Sequence, residues 1–307
     1  MSASHILTFV LHVARSRIRR GSKAFWWRGP SSSGVPSEFA AKLRVGCSGW
    51  GYDDWLGGFY PEGTPKSDYL KLYANTFDTV EVDSSFYRIP QPAMSANWRR
   101  TVPDGFLFTA KFPKKITHEK KLVHIEEPLS WMYKSMAELR DRLGALVVQL
   151  PPSVKFDSHW EHVKTLLDLL DPKIHHAIEF RHKSWFKGEV YDLLRSKNVA
   201  MAWTENQYVT SPPVVTADFV YLRLVGERDL KEFKETVKDR SKEMREWYRH
   251  LEKEASGDDV RQVFVFFNNH YAGFGPASVN EFRRLAGMME MGFPAAGGAQ
   301  RGLGDFG

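Results

Sequence analysis

Cysteine is almost missing from this 307-residue chain, in which Cys47 stands alone. One thiol excludes an internal disulfide and any cysteine-built metal cluster, so an intracellular or organellar setting is expected. No run of about 18 apolar residues occurs, and a membrane span is not expected. Missing too are the glycine patterns that cradle a dinucleotide or a nucleotide phosphate at a strand-to-helix turn. Strong charge of one sign is absent from most of the chain. Of 43 basic and 37 acidic side chains, residues 1–41 hold six basic (Arg15, Arg17, Arg19, Arg20, Lys23, Arg28) and one acidic (Glu38), leaving 37 against 36. A near-neutral body lacks the overall basic field that steers a domain onto nucleic acid.

Residues 1–41 read differently from the rest. Ile6, Phe9, Val10 and Val13 recur at helical spacing, with His5, Thr8, His12, Arg15 and Arg19 largely on the other side. That pattern is expected of an amphipathic organelle presequence, mitochondrial or other. Its alternatives are a disordered extension or a mis-assigned start, with a cytoplasmic protein as the consequence. Ser31–Pro36 reads as a flexible joint, and the Gly-rich residues 292–307 as a flexible tail.

From Arg44 onward strand-like and helix-like segments alternate. Apolar runs fall at 44–47, 78–83, 105–111, 145–150, 175–181, 199–204, 219–224 and 261–268. Helical stretches are expected from Thr64-Pro65 through Ala74 and over about 92–101, 129–143, 158–170, 185–197, 240–255 and 276–290. The sixth strand is followed by Glu205–Asp218, which contains Pro212-Pro213 and shows no helical period. Eight strands with seven helices predict an α/β fold, a single (β/α)8 TIM barrel over 42–291 with a reduced or missing sixth helix, in preference to an open sheet.

Side chains alternate across a strand, so each run also predicts which residues face the barrel axis. Glu81 and Asp83 fall opposite Val80 and Val82. Lys111 falls with Thr109, Gln149 with Val147, Arg181 with Glu179, Arg223 with Tyr221, and Asn268 with Phe266. Strand after strand ends on a polar inward residue, where barrel enzymes carry their chemistry. A buried salt-bridge network plugging the mouth is the structural alternative. Three acids (Glu81, Asp83, Glu179) meet three bases (Lys111, Arg181, Arg223), so the set is charge-compensated. Di-metal centres want surplus carboxylates and inward histidines, so no metal or other cofactor is expected, a weak divalent ion on the three acids excepted. Two arginines suit a carboxylate or phosphate. Glu81 and Glu179 are the candidate acid and base, Lys111 a candidate proton donor, and His118, in the basic loop Lys114–Lys121, the histidine to test first.

Aromatic residues make up 14% of the chain and crowd the glycine-rich stretch Val45–Pro61 with Trp50, Tyr52, Trp55, Phe59 and Tyr60. Together with Phe86, Tyr87 and Trp185 they are expected either to wall a pocket or to cap the barrel. VGCSGWGYDDWLGGFYP, FDTVEVDSSFYRIP, PDGFLFTAKFPKKITH, LGALVVQLPP, AIEFRHKSW, VYLRLVG and VFVFFNN, spread over about 43–290, resemble the successive motifs of the domain of unknown function 72 family, the YecE-like proteins. The resemblance implies a TIM barrel and no established activity; a relation to sugar isomerases is analogy of fold only. It places Ser48, Trp50, Tyr52, Glu81, Tyr87, Lys111, His118, Gln149, Glu179, Arg181, Trp185, Arg223 and Asn268 around the pocket. Asp83-Ser84-Ser85 and the basic leader depart from the usual pattern.

These readings converge on an enzyme doing acid/base chemistry, isomerase- or hydrolase-like, on a small polar or anionic carbohydrate-like substrate. A nucleic-acid-associated repair factor or nuclease is the alternative, supported by aromatic loops and by the spacing of Gln300, Leu303 and Phe306, which resembles a sliding-clamp-binding peptide. A non-catalytic binding scaffold is the third.

Overall fold

Among the residues described by the computed structural model, 37–298, nine parallel strands wind around one axis. They are β1 (Leu43–Ser48), β2 (Thr79–Val82), β3 (Leu107–Lys111), β4 (Leu143–Gln149), β5 (His176–Glu179), β6 (Val199–Met201), β7 (Trp203–Asn206), β8 (Phe219–Gly226) and β9 (Gln262–Phe267). Their hydrogen-bonded order is β6-β5-β4-β3-β2-β1-β9-β8-β7. β6 and β7 are the two halves of one expected strand, broken at Ala202. The first half pairs with β5 and the second with β8, so the ring of eight positions closes through a change of partner. At the break, Ala202 N–H still donates to the Ile178 carbonyl at 2.9 Å.

Helices α1 (Glu38–Lys42), α2 (Tyr69–Thr76), α3 (Ser84–Tyr87), α4 (Pro92–Thr101), α5 (Glu126–Met136), α6 (Phe156–Leu169), α7 (Gly188–Ser196), α8 (Ser241–Ala255), α9 (Asn269–Ala272) and α10 (Gly275–Leu285) fill the connections. No helix forms between Asn206 and Phe219, as Pro212-Pro213 and the missing period dictate. The outer layer follows from helical spacing: α8 buries Met244, Trp247, Leu251 and Ala255. Some ends differ from expectation. Thr64 does not cap a helix; its hydroxyl donates to the Pro61 carbonyl at 2.7 Å, and α2 starts after a short 3-10 turn at Lys66–Asp68. The third expected helix starts earlier, at Glu126, and leaves α geometry after Met136.

The presequence pattern, the joint at 31–36 and the clamp-like tail peptide lie outside the described residues. Residues 38–41, expected to belong to the leader, instead form most of α1. Ser37 caps it by accepting from Ala40 N–H at 3.1 Å, and Phe39 is buried with its ring 6.1 Å from that of Tyr248.

Two apolar layers result from the alternation. One lies between strands and helices. The other fills the barrel with Ala145, Val147, Ala177, Ala200, Ala202, Phe219, Tyr221, Phe264 and Phe266. β1 approaches β2 so closely that a Cβ at Gly46 would land on the Thr79 carbonyl. Above this plug, toward the strands' C-terminal ends, the inner face turns polar.

Candidate active site

Arg223, on β8, is the hub of that polar level. Its guanidinium holds Glu81 in bidentate fashion, Nε to Oε2 and Nη2 to Oε1 at 2.8 Å each, while Nη1 donates to Glu179 and, at 3.2 Å, to Gln149 Oε1. Arg181 donates from Nε to Glu179 Oε1 at 2.6 Å and from Nη2 to Gln149 Oε1 at 2.8 Å. Ser48 Oγ and Tyr221 Oη donate to the two Glu81 oxygens at 2.9 and 2.8 Å, and Thr109 Oγ1 lies 2.7 Å from Tyr221 Oη. Register explains the convergence, since Glu81 lies beside Ser48 and Thr109 across the ladder and Gln149 beside Glu179.

Glu81, Glu179 and Arg223 are sealed from solvent. Burial by itself would raise both carboxyls, but the charges of Arg223 and Lys111 with the Arg223 hydrogen bonds at Glu81, and the charges of Arg181 and Arg223 with their hydrogen bonds at Glu179, overcome it. Both are held well below the usual carboxylate range. They do not line the cavity above. Glu81, Asp83 and Glu179 are each engaged by a cation. They face Arg223, Lys111 and Arg181, and among the described residues no three His, Cys, Asp or Glu side chains are grouped to hold a metal ion.

A cavity of about 290 Å³ opens over this floor, lined by Asp83, Phe86, Tyr87, Lys111, His118, Gln149, Pro151, Pro152, Arg181, Tyr208 and Arg228. Lys111 Nζ sits 2.7 Å from Asp83 Oδ1 and 3.7 Å from Glu81 Oε1, bridging floor and cavity. Burial, reinforced by Glu81, raises the Asp83 carboxyl in spite of Lys111. Ser85 Oγ lies 2.8 Å from both the Val82 and Lys111 carbonyls, which ties α3 to β3 and fixes the Asp83–Lys111 geometry.

His118 comes from a widened, π-type turn at Lys115–Glu119. Its Nδ1 lies 2.8 Å from Thr117 Oγ1, and its ring meets the edge of Phe86 at 4.9 Å. Burial first, then the charge of Arg181, pushes the imidazole down to about 4. Lys121, Leu122 and His124 follow with φ of 47°, 72° and 51°, left-handed values that cost energy in residues with a Cβ and tend to accompany functional loops.

The aromatic stretch sits elsewhere. Trp55, Phe59 and Tyr60 are fully buried, and Trp55 packs against Tyr52, Phe59, Tyr60, Tyr73 and Phe274 with centroids at 4.9–6.3 Å. Tyr52 Oη donates to the Ser48 carbonyl at 2.6 Å, and Trp50 meets Trp98 edge-on at 5.6 Å. The stretch therefore caps the outer core and does not wall the cavity. Trp185 is likewise core: fully buried, stacked on Phe180 at 4.7 Å, its Nε1 donating to the Val154 carbonyl at 2.8 Å. Asn268 caps α9 by accepting from His270 N–H at 3.1 Å and stands outside the lining. Of the rings expected at the pocket, Phe86 and Tyr87 reach it. Tyr208 and Arg228 escaped the sequence reading because both stand in loops without period; the visible signal was the missing sixth helix, whose replacement carries Tyr208.

Among the described residues no helix is long and apolar enough to cross a membrane. Residues 44–300 match the family described as "Protein of unknown function DUF72". The chain is 32% identical to the UPF0759 protein YecE of Escherichia coli over 124 residues, 39% of this chain and 44% of that protein, so the match spans less than half of that relative's length. It is 24% identical over 262 residues to the UPF0759 protein YunF of Bacillus subtilis, covering 75% of this chain and 90% of that one. Among solved structures, a DUF72 family protein from Thermotoga maritima superposes with a TM-score of 0.68 at 26% identity, covering 79% and 98% of the two chains. One from Enterococcus faecalis gives 0.64 at 20% identity, covering 80% and 98%, a likeness of fold. On the strength of the family match across most of its length, this barrel belongs to the DUF72 family.

Proposed function

We propose that the protein is an enzyme that moves a proton on a small, hydroxylated, carbohydrate-like substrate bound in the cavity at the barrel mouth. The observation that carries this reading is the pairing of His118 with Asp83–Lys111 across one cavity. His118, pushed down to about 4, is an unprotonated imidazole at neutral pH; Thr117 engages Nδ1, and Nε2 is the nitrogen left to take a proton. Asp83 moves the opposite way, upward, beside the Lys111 ammonium. Two titratable groups displaced in opposite directions in one cavity are the arrangement that lets one accept a proton and the other return it. Glu81 and Glu179 in this reading are not the acid and base. Held as anions, they orient Arg223, Arg181 and Lys111. A solvent-exposed ring at Tyr87 offers a face for a sugar.

The test is deuterium incorporation. Aldoses, ketoses and their acid and phosphate derivatives are incubated with the protein in D2O and followed by NMR at carbons next to the carbonyl. Exchange that disappears in His118→Gln and Asp83→Asn is the expected result. Exchange proceeding in both folded variants as in the unaltered protein overturns the proposal, as does a panel in which no carbon exchanges.

A further inference from the structure

We infer that the ligand of this cavity carries an oxyanion, carboxylate or phosphate, and that this group docks between Arg181 and Arg228 beside the ring of Tyr208. The inference rests on the proposed reading of the same cavity and names the class of substrate. Arg181 is prepared for it. Its side chain is 6% exposed and its guanidinium is held by Glu179 and Gln149 through Nε and Nη2, while Nη1 makes no hydrogen bond among the described residues. A guanidinium fixed in orientation and partly stripped of water binds an oxyanion with little further ordering cost. Tyr208 lies over it, 5.6 Å from ring centroid to Cζ. That ring is positioned by Asn206, whose Oδ1 accepts from the N–H groups of Tyr208 and Val209 at 2.8 and 3.2 Å.

Arg228 supplies the second cation. It follows β8 with φ of 57°, and among the described residues it forms no ion pair. Its sequence neighbours Glu227 and Asp229 are the obvious counterions, yet both are taken by Lys238, at 2.9 and 2.7 Å. Lys238 thus draws both carboxylates off Arg228, which lines the cavity without an ion pair of its own. The other cations of the site point the same way. Arg223 and Arg181 hold Glu81 and Glu179, and Lys111 lies against Asp83, so among the described residues Arg228 is the cation of the cavity without an ion-pair partner. An unpaired cation beside a desolvated arginine calls for an anion. The cavity is therefore polarised, with proton-transfer groups on the β2–β3 side and the anion seat on the β5–β8 side.

Calorimetric titration at low ionic strength tests this, with inorganic phosphate and D-gluconate as separate probes; whichever binds more tightly identifies the oxyanion. Arg228→Gln should weaken binding about tenfold or more, the effect of losing a charged hydrogen bond, whereas Lys173→Gln, which removes the same charge from an exposed site, should leave it unchanged. Absence of binding by both probes, or equal weakening by the two substitutions, overturns the inference. The two proposals fail separately. Anion binding lost in Arg228→Gln, with no proton exchange on any sugar, would keep the anion seat and remove the catalytic reading. Proton exchange indifferent to Arg228→Gln, without anion binding, would do the reverse.

Discussion

Arg223 and Glu81 meet fork to fork, two parallel hydrogen bonds of 2.8 Å in a space closed to solvent. Such a pair adds little net stability over an apolar replacement of both partners, because desolvation consumes most of the attraction. Removing one partner is another matter. Arg223→Met leaves Glu81 and Glu179 buried with too little countercharge and should cost about 3–5 kcal/mol of unfolding free energy, read as a lower midpoint in urea denaturation. A loss below about 1 kcal/mol would show that water enters the barrel mouth freely.

The aromatic rings divide into two kinds, and their substitution should separate them. Trp55→Ala opens a hole in the outer core and should destabilise by about 3–5 kcal/mol. Tyr87→Ala, at a ring 71% exposed, should leave stability within about 0.5 kcal/mol and change only ligand response. Equal stability losses in urea would contradict the division.

His176 gives the fold a pH dependence distinct from that of the site. It is buried near the N-terminal end of β5, its Nε2 3.0 Å from Tyr133 Oη, and burial pushes it down to about 4. Between that value and the ordinary 6.5 the unfolded chain binds a proton that the folded chain refuses. Stability is therefore complete above about pH 6.5 and falls as pH drops toward 4, by up to about 3 kcal/mol from this residue. Denaturant melts of the parent protein and His176→Phe at pH 7.5 and 4.5 should show the smaller pH difference in the variant.

His118 makes the complementary prediction for proton exchange. Because the unprotonated ring is the active form, exchange should be level from about pH 8 to about 5 and fall as the pH approaches 4. A midpoint near 6.5 in the rate profile would place the histidine in open solvent.

How far the chain could be read in advance depended on whether a feature was periodic. The two-residue period put Glu81, Lys111, Gln149, Glu179, Arg181 and Arg223 on the inner face, and the fold brings all six to one level. Ring-rich Val45–Pro61 was ambiguous because a pocket wall and a core cap use the same residues, and only contacts separate them. Trp185 was misplaced for the same reason. Tyr208 and Arg228 have no period, and their positions depend on Asn206 and Lys238, which act through loop geometry. The break at Ala202 was illegible, since it is a choice of partner between strands distant in sequence.

That break has a mechanical consequence. Beyond Ala202 no continuous ladder runs from the β5 side of the ring to β8, because each half of the divided strand belongs to one neighbour. Yet Glu179 and Gln149, on β5 and β4, are both bonded to Arg223 on β8. Side chains thus span the seam that the backbone leaves unstitched. The charged cluster is a clasp as well as a floor, and what binds above it rests on the fastening that keeps the barrel round.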